Sequence, residues 1–105
     1  MTQQELFEDA VKDMNDGQYA GAIQKLELIL TNTNNEQNKA SICSLLGSAY
    51  LIAGNNEKGV QRLVQALSIN PNNTANWSNL SEGRRRLGQL DEAIEEYWAP
   101  IPPNR

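Results

Sequence analysis

Three glycines punctuate this chain at nearly even intervals, and similar text follows each of them. Gly17 opens GQYAGAIQKL, Gly54 opens GNNEKGVQRL and Gly88 opens GQLDEAIEEY. The spacings are 54 − 17 = 37 and 88 − 54 = 34 residues. Self-similarity at such a period is the mark of a stacked helical architecture, in which no unit can bury its apolar face alone. The shorter spacing is one helix-turn-helix unit. The longer is the same unit with three more residues, for which the polar run TNTNNEQN at 31–38 offers room.

Apolar periodicity fills in the helices. In the central unit, residues 40–73, Ile42, Leu45, Leu46, Ala49, Tyr50 and Ala53 form one stripe, and Val60, Leu63, Val64 and Leu67 form a second. Both follow the i, i+3, i+4, i+7 spacing of an amphipathic helix. Gly47 and Gly59 lie within these stripes, where two backbones can approach closely. In the first unit, Thr2-Gln3-Gln4-Glu5 has the form of a capping box ahead of Leu6, Phe7, Ala10, Val11 and Met14. Ala22, Ile23, Leu26, Ile29 and Leu30 give its second stripe. In the third, Trp77, Leu80 and Leu87 share a face, then Asp91 offers an N-cap to a helix with Ala93, Ile94 and Tyr97 inward. Asp91, Glu92, Glu95 and Glu96 crowd its first turns, where the helix dipole favours negative charge. Pro100, Pro102 and Pro103 forbid continuation. The expectation is an all-α single domain of six helices in three hairpins, with units at 3–36, 40–73 and 74–99 and a proline-rich tail at 100–105.

Composition narrows the function. Hydrophobic residues make up 39% of the 105, with six aromatics, which suits a thin core shared between neighbouring helices. The net charge of −4 argues against nucleic acid, which calls for a basic stripe. The 13 asparagines and 8 glutamines cluster in the breaks, as connector chemistry allows. A lone cysteine, Cys43, permits no intrachain disulfide. No secretory leader pattern and no membrane-length apolar run occur, so a cytoplasmic location without membrane contact is expected. Histidine is absent, which removes the commonest general base and metal ligand near neutral pH. No phosphate loop or metal-ligand spacing occurs, and Asp91 and Glu92 are adjacent on a helix start, not convergent. The chain is expected to be no enzyme and to carry no cofactor or metal.

The residues resemble the tetratricopeptide repeat (TPR) family. Its signature, W-x2-L-G-x2-Y, then A-x3-F, then P, is matched by Trp77-x2-Leu80-Ser81 in the third unit. In the second it is matched by Leu46-Gly47-x2-Tyr50, Gly59-x3-Leu63, Ala66 and Pro71, and in the first by Gly17-x-Tyr19-x2-Ala22-Ile23-x2-Leu26. The similarity runs from about Gln3 to Trp98. Asn56 stands where the family has an aromatic and Gly59 where it has alanine, a cost of about 1 kcal/mol that implies a looser central hairpin. Asp13 and Arg84 take the place of Tyr50 in the outer units.

The resemblance implies a right-handed superhelix whose concave face, lined by the first helix of each hairpin, binds a peptide or partner protein. Residue by residue, it offers Phe7 and Val11 from the first unit, Ser44, Ser48 and Leu51 from the second, and Asn79, Glu82, Arg85 and Arg86 from the third. Phe7 and Leu51 could equally fill gaps between repeats. The carboxylate clamp of chaperone-binding members is not kept: Phe7, Val11, Leu45, Ala75 and Asn79 stand in its places. The triplet Arg84-Arg85-Arg86 reads either as an anchor for an acidic peptide or, preferably, as a helix end whose arginines complement the dipole and pair with nearby glutamates. Against the adaptor stands a structural alternative. Tyr97 and Trp98 have little sequence after them to cover them, which fits a proline tail folded back over the helix, a self-associating homo-oligomer or one piece of a longer repeat array.

Overall fold

The computed structural model describes residues 2–88, in which five helices and no strand occur: α1 (Gln3–Asn15), α2 (Tyr19–Thr31), α3 (Glu36–Ile52), α4 (Asn56–Ile69) and α5 (Thr74–Arg86). The expected sixth helix, with Asp91, Ala93, Ile94, Tyr97 and Trp98, lies outside the described residues, as does the tail.

Local chemistry sets the ends. Thr2 closes the capping box, its Oγ1 accepting from the Glu5 N–H at 3.1 Å while its own N–H donates to Glu5 Oε1 at 3.0 Å. Asn35, Asn55 and Asn73 are the N-caps of α3, α4 and α5, each side-chain oxygen accepting from the N–H three residues on. Much of the asparagine in the breaks therefore satisfies helix N–H groups that would otherwise lack a partner. The punctuating glycines end the first helices in the left-handed region, at φ 78° for Gly17, 91° for Gly54 and 78° for Gly88. Space is open around all three, so it is the backbone conformation that calls for glycine there.

The three extra residues of the first repeat are not in the connector. Both long connectors are four residues, 32–35 and 70–73, and α3 instead spans 17 residues against 13 for α1 and α5. Residues 36–38, read above as part of a break, form the first turn of α3, because Asn35 caps it and Glu36 suits a helix start.

Two apolar clusters form the core. One joins Ala10, Leu26, Ile29, Ile42, Leu46 and Tyr50 across α1, α2 and α3, with Phe7 and Leu45 among the half-buried residues against it. The other joins Leu51, Val60, Leu63, Leu67 and Leu80 across α3, α4 and α5, flanked by Trp77. Stripe membership fails at Ala53, Val64 and Leu87, all exposed.

Between α3 and α4 the glycines govern the packing. A Cβ on Gly47 would sit 2.5 Å from Leu63 Cγ, and one on Gly59 would sit 2.8 Å from Leu51 Cδ2 and 3.2 Å from the Gly47 carbonyl. Gly59 is therefore no loosening of the central hairpin. It leaves the volume that Leu51 fills.

Polar groups tie the first two hairpins together. Glu27 of α2 accepts from Tyr50 Oη of α3 at 2.6 Å and from Arg62 of α4, Nη2 at 2.6 Å and Nε at 3.1 Å. Arg62 also donates to Gln65 at 2.8 Å. Burial, then the bond to Glu27, pushes the Tyr50 phenol up to about 12. Asp13, the expected polar departure in α1, pairs with Lys25 at 2.6 Å.

Three outcomes follow. Gly59→Ala, favourable by helix propensity alone, should lower stability by about 1–2 kcal/mol through overpacking, and in a Leu51→Ala background it should become neutral or stabilising. Urea unfolding of the four proteins in the cycle measures this, and equal effects of Gly59→Ala in both backgrounds would contradict the packing account. For Tyr50, a folded pKa of about 12 against about 10 when unfolded favours the neutral phenol. Its contribution is intact below pH ~10 and lost between about 10 and 12. Absorbance titration should show one late tyrosine, absent in Tyr50→Phe. Glu27→Ala, which leaves half-buried Arg62 and Tyr50 without their acceptor, should cost about 1–3 kcal/mol.

Candidate functional site

The first helices, α1, α3 and α5, carry all the described candidate groove residues, and α3 and α5 are laced together by amide–hydroxyl pairs. Asn76 Nδ2 donates to Ser44 Oγ at 2.7 Å, and Ser44 in turn donates to the Ala40 carbonyl at 3.0 Å. One turn on, Asn79 Nδ2 donates to Ser48 Oγ at 3.3 Å. Asn76 is the one buried polar residue among those described, so its bond to Ser44 is part of the packing. Ser44, Ser48 and Asn79 are half-buried, Ser44 held by Asn76 and Ser48 by Asn79 across the two helices. Phe7 and Val11 are half-buried on α1, Phe7 against the first core cluster.

Leu51 does not belong on a groove surface. It is 6% exposed, and its methyls lie under Gly59 of α4 and Gly83 of α5, whose added Cβ would come within 3.2 Å of Leu51 Cδ2. Two glycines on neighbouring helices make a slot that draws the side chain inward. Its neighbour Ile52 is 58% exposed.

Two of the three arginines, Arg85 and Arg86, pair with a glutamate of their own helix. Arg85 pairs with Glu82, and Arg86 Nε lies 2.9 Å from the same carboxylate. Hydrogen bonds from Arg85 and then Arg86 hold the Glu82 carboxyl well below its ordinary range, at about 2. Arg86 Nη1 also donates to the Leu51 carbonyl at 2.9 Å and to Asn56 Oδ1 at 3.4 Å, bridging the end of α3 to the start of α4. Pairing with a nearby glutamate at a helix C-terminus is the favoured reading of this triplet. Arg85 and Arg86 thus share one carboxylate.

A cleft of about 540 Å³ opens at the other end, between the start of α1 and the connector into α3. Phe7, Ile29 and Ile42 supply its apolar lining. Gln3, Gln4, Asn32, Thr33, Asn34, Asn35, Asn38 and Ser41 supply the polar part, and none of the described lining residues is charged. Some of these groups are used internally: Thr33 Oγ1 donates to the Ile29 carbonyl at 2.6 Å and Asn32 Nδ2 to the Leu28 carbonyl at 3.1 Å. The side-chain amides of Gln3, Asn34 and Asn38 make no hydrogen bond among the described residues. Sequence reasoning treated 31–38 as a connector and missed this wall, although the density of amides there was the available signal.

Among the described residues no group of three or more His, Cys, Asp or Glu could hold a metal ion. Cys43 is fully buried, and burial pushes its thiol up, away from the reactive thiolate. No described helix is long and apolar enough to cross a membrane.

No protein-family model matches the sequence, and no curated protein matches it. Among solved structures, the crystal structure of MamA superposes with a TM-score of 0.81 at 20% sequence identity, over 96% of this chain. The chain spans 59% of the length of MamA. Together with the helix order, that likeness gives the chain a TPR-like, all-helical repeat fold.

Proposed function

We propose that the chain is a non-enzymatic protein-interaction module: three hairpins, six helices in all, wound as a right-handed superhelix whose concave side, lined by α1, α3 and α5, holds an extended partner polypeptide. The uncharged cleft at the start of α1 carries the reading. Each peptide unit offers one donor and one acceptor, and each Asn or Gln amide offers both in return. Gln3, Asn34 and Asn38 stand unengaged around an apolar lining that suits one apolar side chain. Phe7 and Val11 lie at this end. Ser44, Ser48 and Asn79 lie midway, and Arg85 and Arg86, partly offset by Glu82, give the far end a positive rim.

Asn38→Glu tests this cleanly, because Asn38 is exposed and in the first turn of α3, where a carboxylate suits the dipole. Peptides selected from a random library against the whole chain should shift the amide resonances of Phe7, Asn38 and Ser41. Asn38→Glu should weaken them about tenfold, a loss of ~1.4 kcal/mol, with thermal stability unchanged. Reversing Arg85 and Arg86 should weaken only peptides with an acidic end. Unaltered binding by Asn38→Glu would remove the cleft from the proposal.

A second reading, self-association through Tyr97 and Trp98, has one observation that shapes it. Subtracting 37 from Ile42, Leu46 and Tyr50, which pack α3 into the first cluster, gives Glu5, Asp9 and Asp13 on α1. Stacking one chain's C-terminal end on another's α1 would set aromatics against three carboxylates. Self-association is therefore expected between like ends, giving a closed dimer and not a filament. Light scattering over a concentration series should level off at twice the monomer mass and be abolished by Trp98→Ala. A strictly monomeric chain rules the reading out.

A further inference from the structure

The seams between successive first helices differ in chemistry. Across α3 and α5 the facing pairs are Ser44 with Asn76 and Ser48 with Asn79, joined by hydrogen bonds of 2.7 and 3.3 Å. The same register positions one repeat earlier are 44 − 37 = 7 with 76 − 34 = 42, and 48 − 37 = 11 with 79 − 34 = 45. Those are Phe7 with Ile42 and Val11 with Leu45, apolar throughout. Phe7, Ile42 and Leu45 all belong to the first core cluster. From α3 the second cluster takes Leu51, a turn beyond the two serines.

Different forces therefore hold the two sides of α5. Toward α4 the contact is apolar: Leu80 is fully buried, and Trp77 packs on the same cluster beside Leu67. Toward α3, the N-terminal half of α5 is held by neutral hydrogen bonds, which water replaces at little net cost. Asn76 is 4% exposed, and its amide regains full solvation when the seam parts. Water offers no such replacement for the apolar pairs of the first seam. The C-terminal half of α5 is fixed more firmly. A Cβ on Gly83 would sit 2.8 Å from Val60 Cγ2 and 3.2 Å from Leu51 Cδ2, and Arg86 Nη1 donates to the Leu51 carbonyl at 2.9 Å.

We propose that the α3–α5 seam opens as a wedge. The N-terminal half of α5 swings off α3 about a vertex at Leu51, Gly83 and Arg86, while its apolar side stays on α4. Asn76 lies 83 − 76 = 7 residues from that vertex and Asn79 lies 83 − 79 = 4. At the helical rise these are lever arms of about 10 and 6 Å, so the Ser44–Asn76 bond parts first and widest. Opening frees two hydroxyls and two amides that satisfy one another when the seam is shut. The first seam, apolar at the same positions, stays closed, so the adjustable part of this face lies on one side of α3 only. This goes beyond the proposed function and does not depend on the amide-lined cleft, which lies on the other side of α3.

Thiol labelling of the full chain, in graded urea below the unfolding transition, is the test. Asn76→Cys in a Cys43→Ala background puts a thiol in the second seam, and Ile42→Cys in the same background puts one in the first. Cys43 of the unaltered chain, fully buried, reports global unfolding. Asn76→Cys should label about tenfold faster than Cys43 or more, at a rate nearly independent of urea, as a local opening requires. Ile42→Cys should follow Cys43, its rate climbing steeply with urea because labelling waits for global unfolding. Adding Ser44→Val to Asn76→Cys makes the seam apolar and should slow the labelling. A urea dependence for Asn76→Cys as steep as that of Cys43 overturns the wedge, as do urea-independent labelling of both seams and a rate that Ser44→Val leaves unchanged. Asn76→Cys itself removes one bond, so the unaltered chain supplies a second readout, decisive also if that variant fails to fold. By NMR, the Asn76 side-chain amide protons should exchange about tenfold faster or more, relative to their intrinsic rate, than the slowest backbone amides of α3. Equal protection of the two overturns the proposal.

Discussion

Gly47 and Gly59 face each other across the central hairpin, with so little room that a methyl on either would press into the opposite helix. The cost of glycine within a helix is offset by what the close approach allows. Leu63 lies over Gly47 and Leu51 over Gly59, so two large side chains are buried in the space that two missing ones leave. Leu51 then extends to Gly83 of α5, where the same device recurs. Three glycines on three helices and two leucines thus make a continuous packing element from α3 to α5. The second core cluster is built around it.

The first junction is held differently. Glu27, Tyr50 and Arg62 come from three helices and satisfy one another at the edge of the apolar cluster. A half-buried arginine and glutamate at 2.6 Å gain less from mutual attraction than they would lose if one were left alone. The network therefore acts as a constraint on register more than as a source of stability. Only one arrangement of α2, α3 and α4 brings a carboxylate, a phenol and a guanidinium together. Apolar stripes by themselves tolerate sliding far better.

The repeat, the capping box and the left-handed glycines were legible because each is a local or periodic signal. The 37- and 34-residue spacings locate the helix ends to within a turn. The extra turn of α3 was not legible, since Glu36, Gln37 and Asn38 face solvent and carry no apolar period. Leu51 was misplaced for a different reason. Its inward position depends on Gly59 and Gly83, each unremarkable in its own helix and decisive only once the helices are side by side. The Glu27 network joins residues 23 and 35 positions apart, and no pattern within one helix encodes it. On the candidate face, the residues that carry the proposed cleft came from a stretch that looked like mere connection.

That origin bears on how such a face recognises anything. The shared scaffold commits its most regular positions to its own packing: Asn76 and Asn79 of α5 bond Ser44 and Ser48 of α3, and Arg86 closes α5 onto the end of α3. Under the proposed function, what remains for a partner lies where this chain departs from its own repeat, at the additional turn of α3 and the amides beside it. Those groups are neutral, so they contribute direction and fit in place of long-range attraction, and binding there should depend little on salt. The positive rim at Arg85 and Arg86 could add steering, but Glu82 sits between the two guanidinium groups and draws on both. An acidic ligand would have to compete with a carboxylate already held in place by two arginines. For that reason the uncharged end, and not the arginine triplet, is the part of this surface best suited to select a partner.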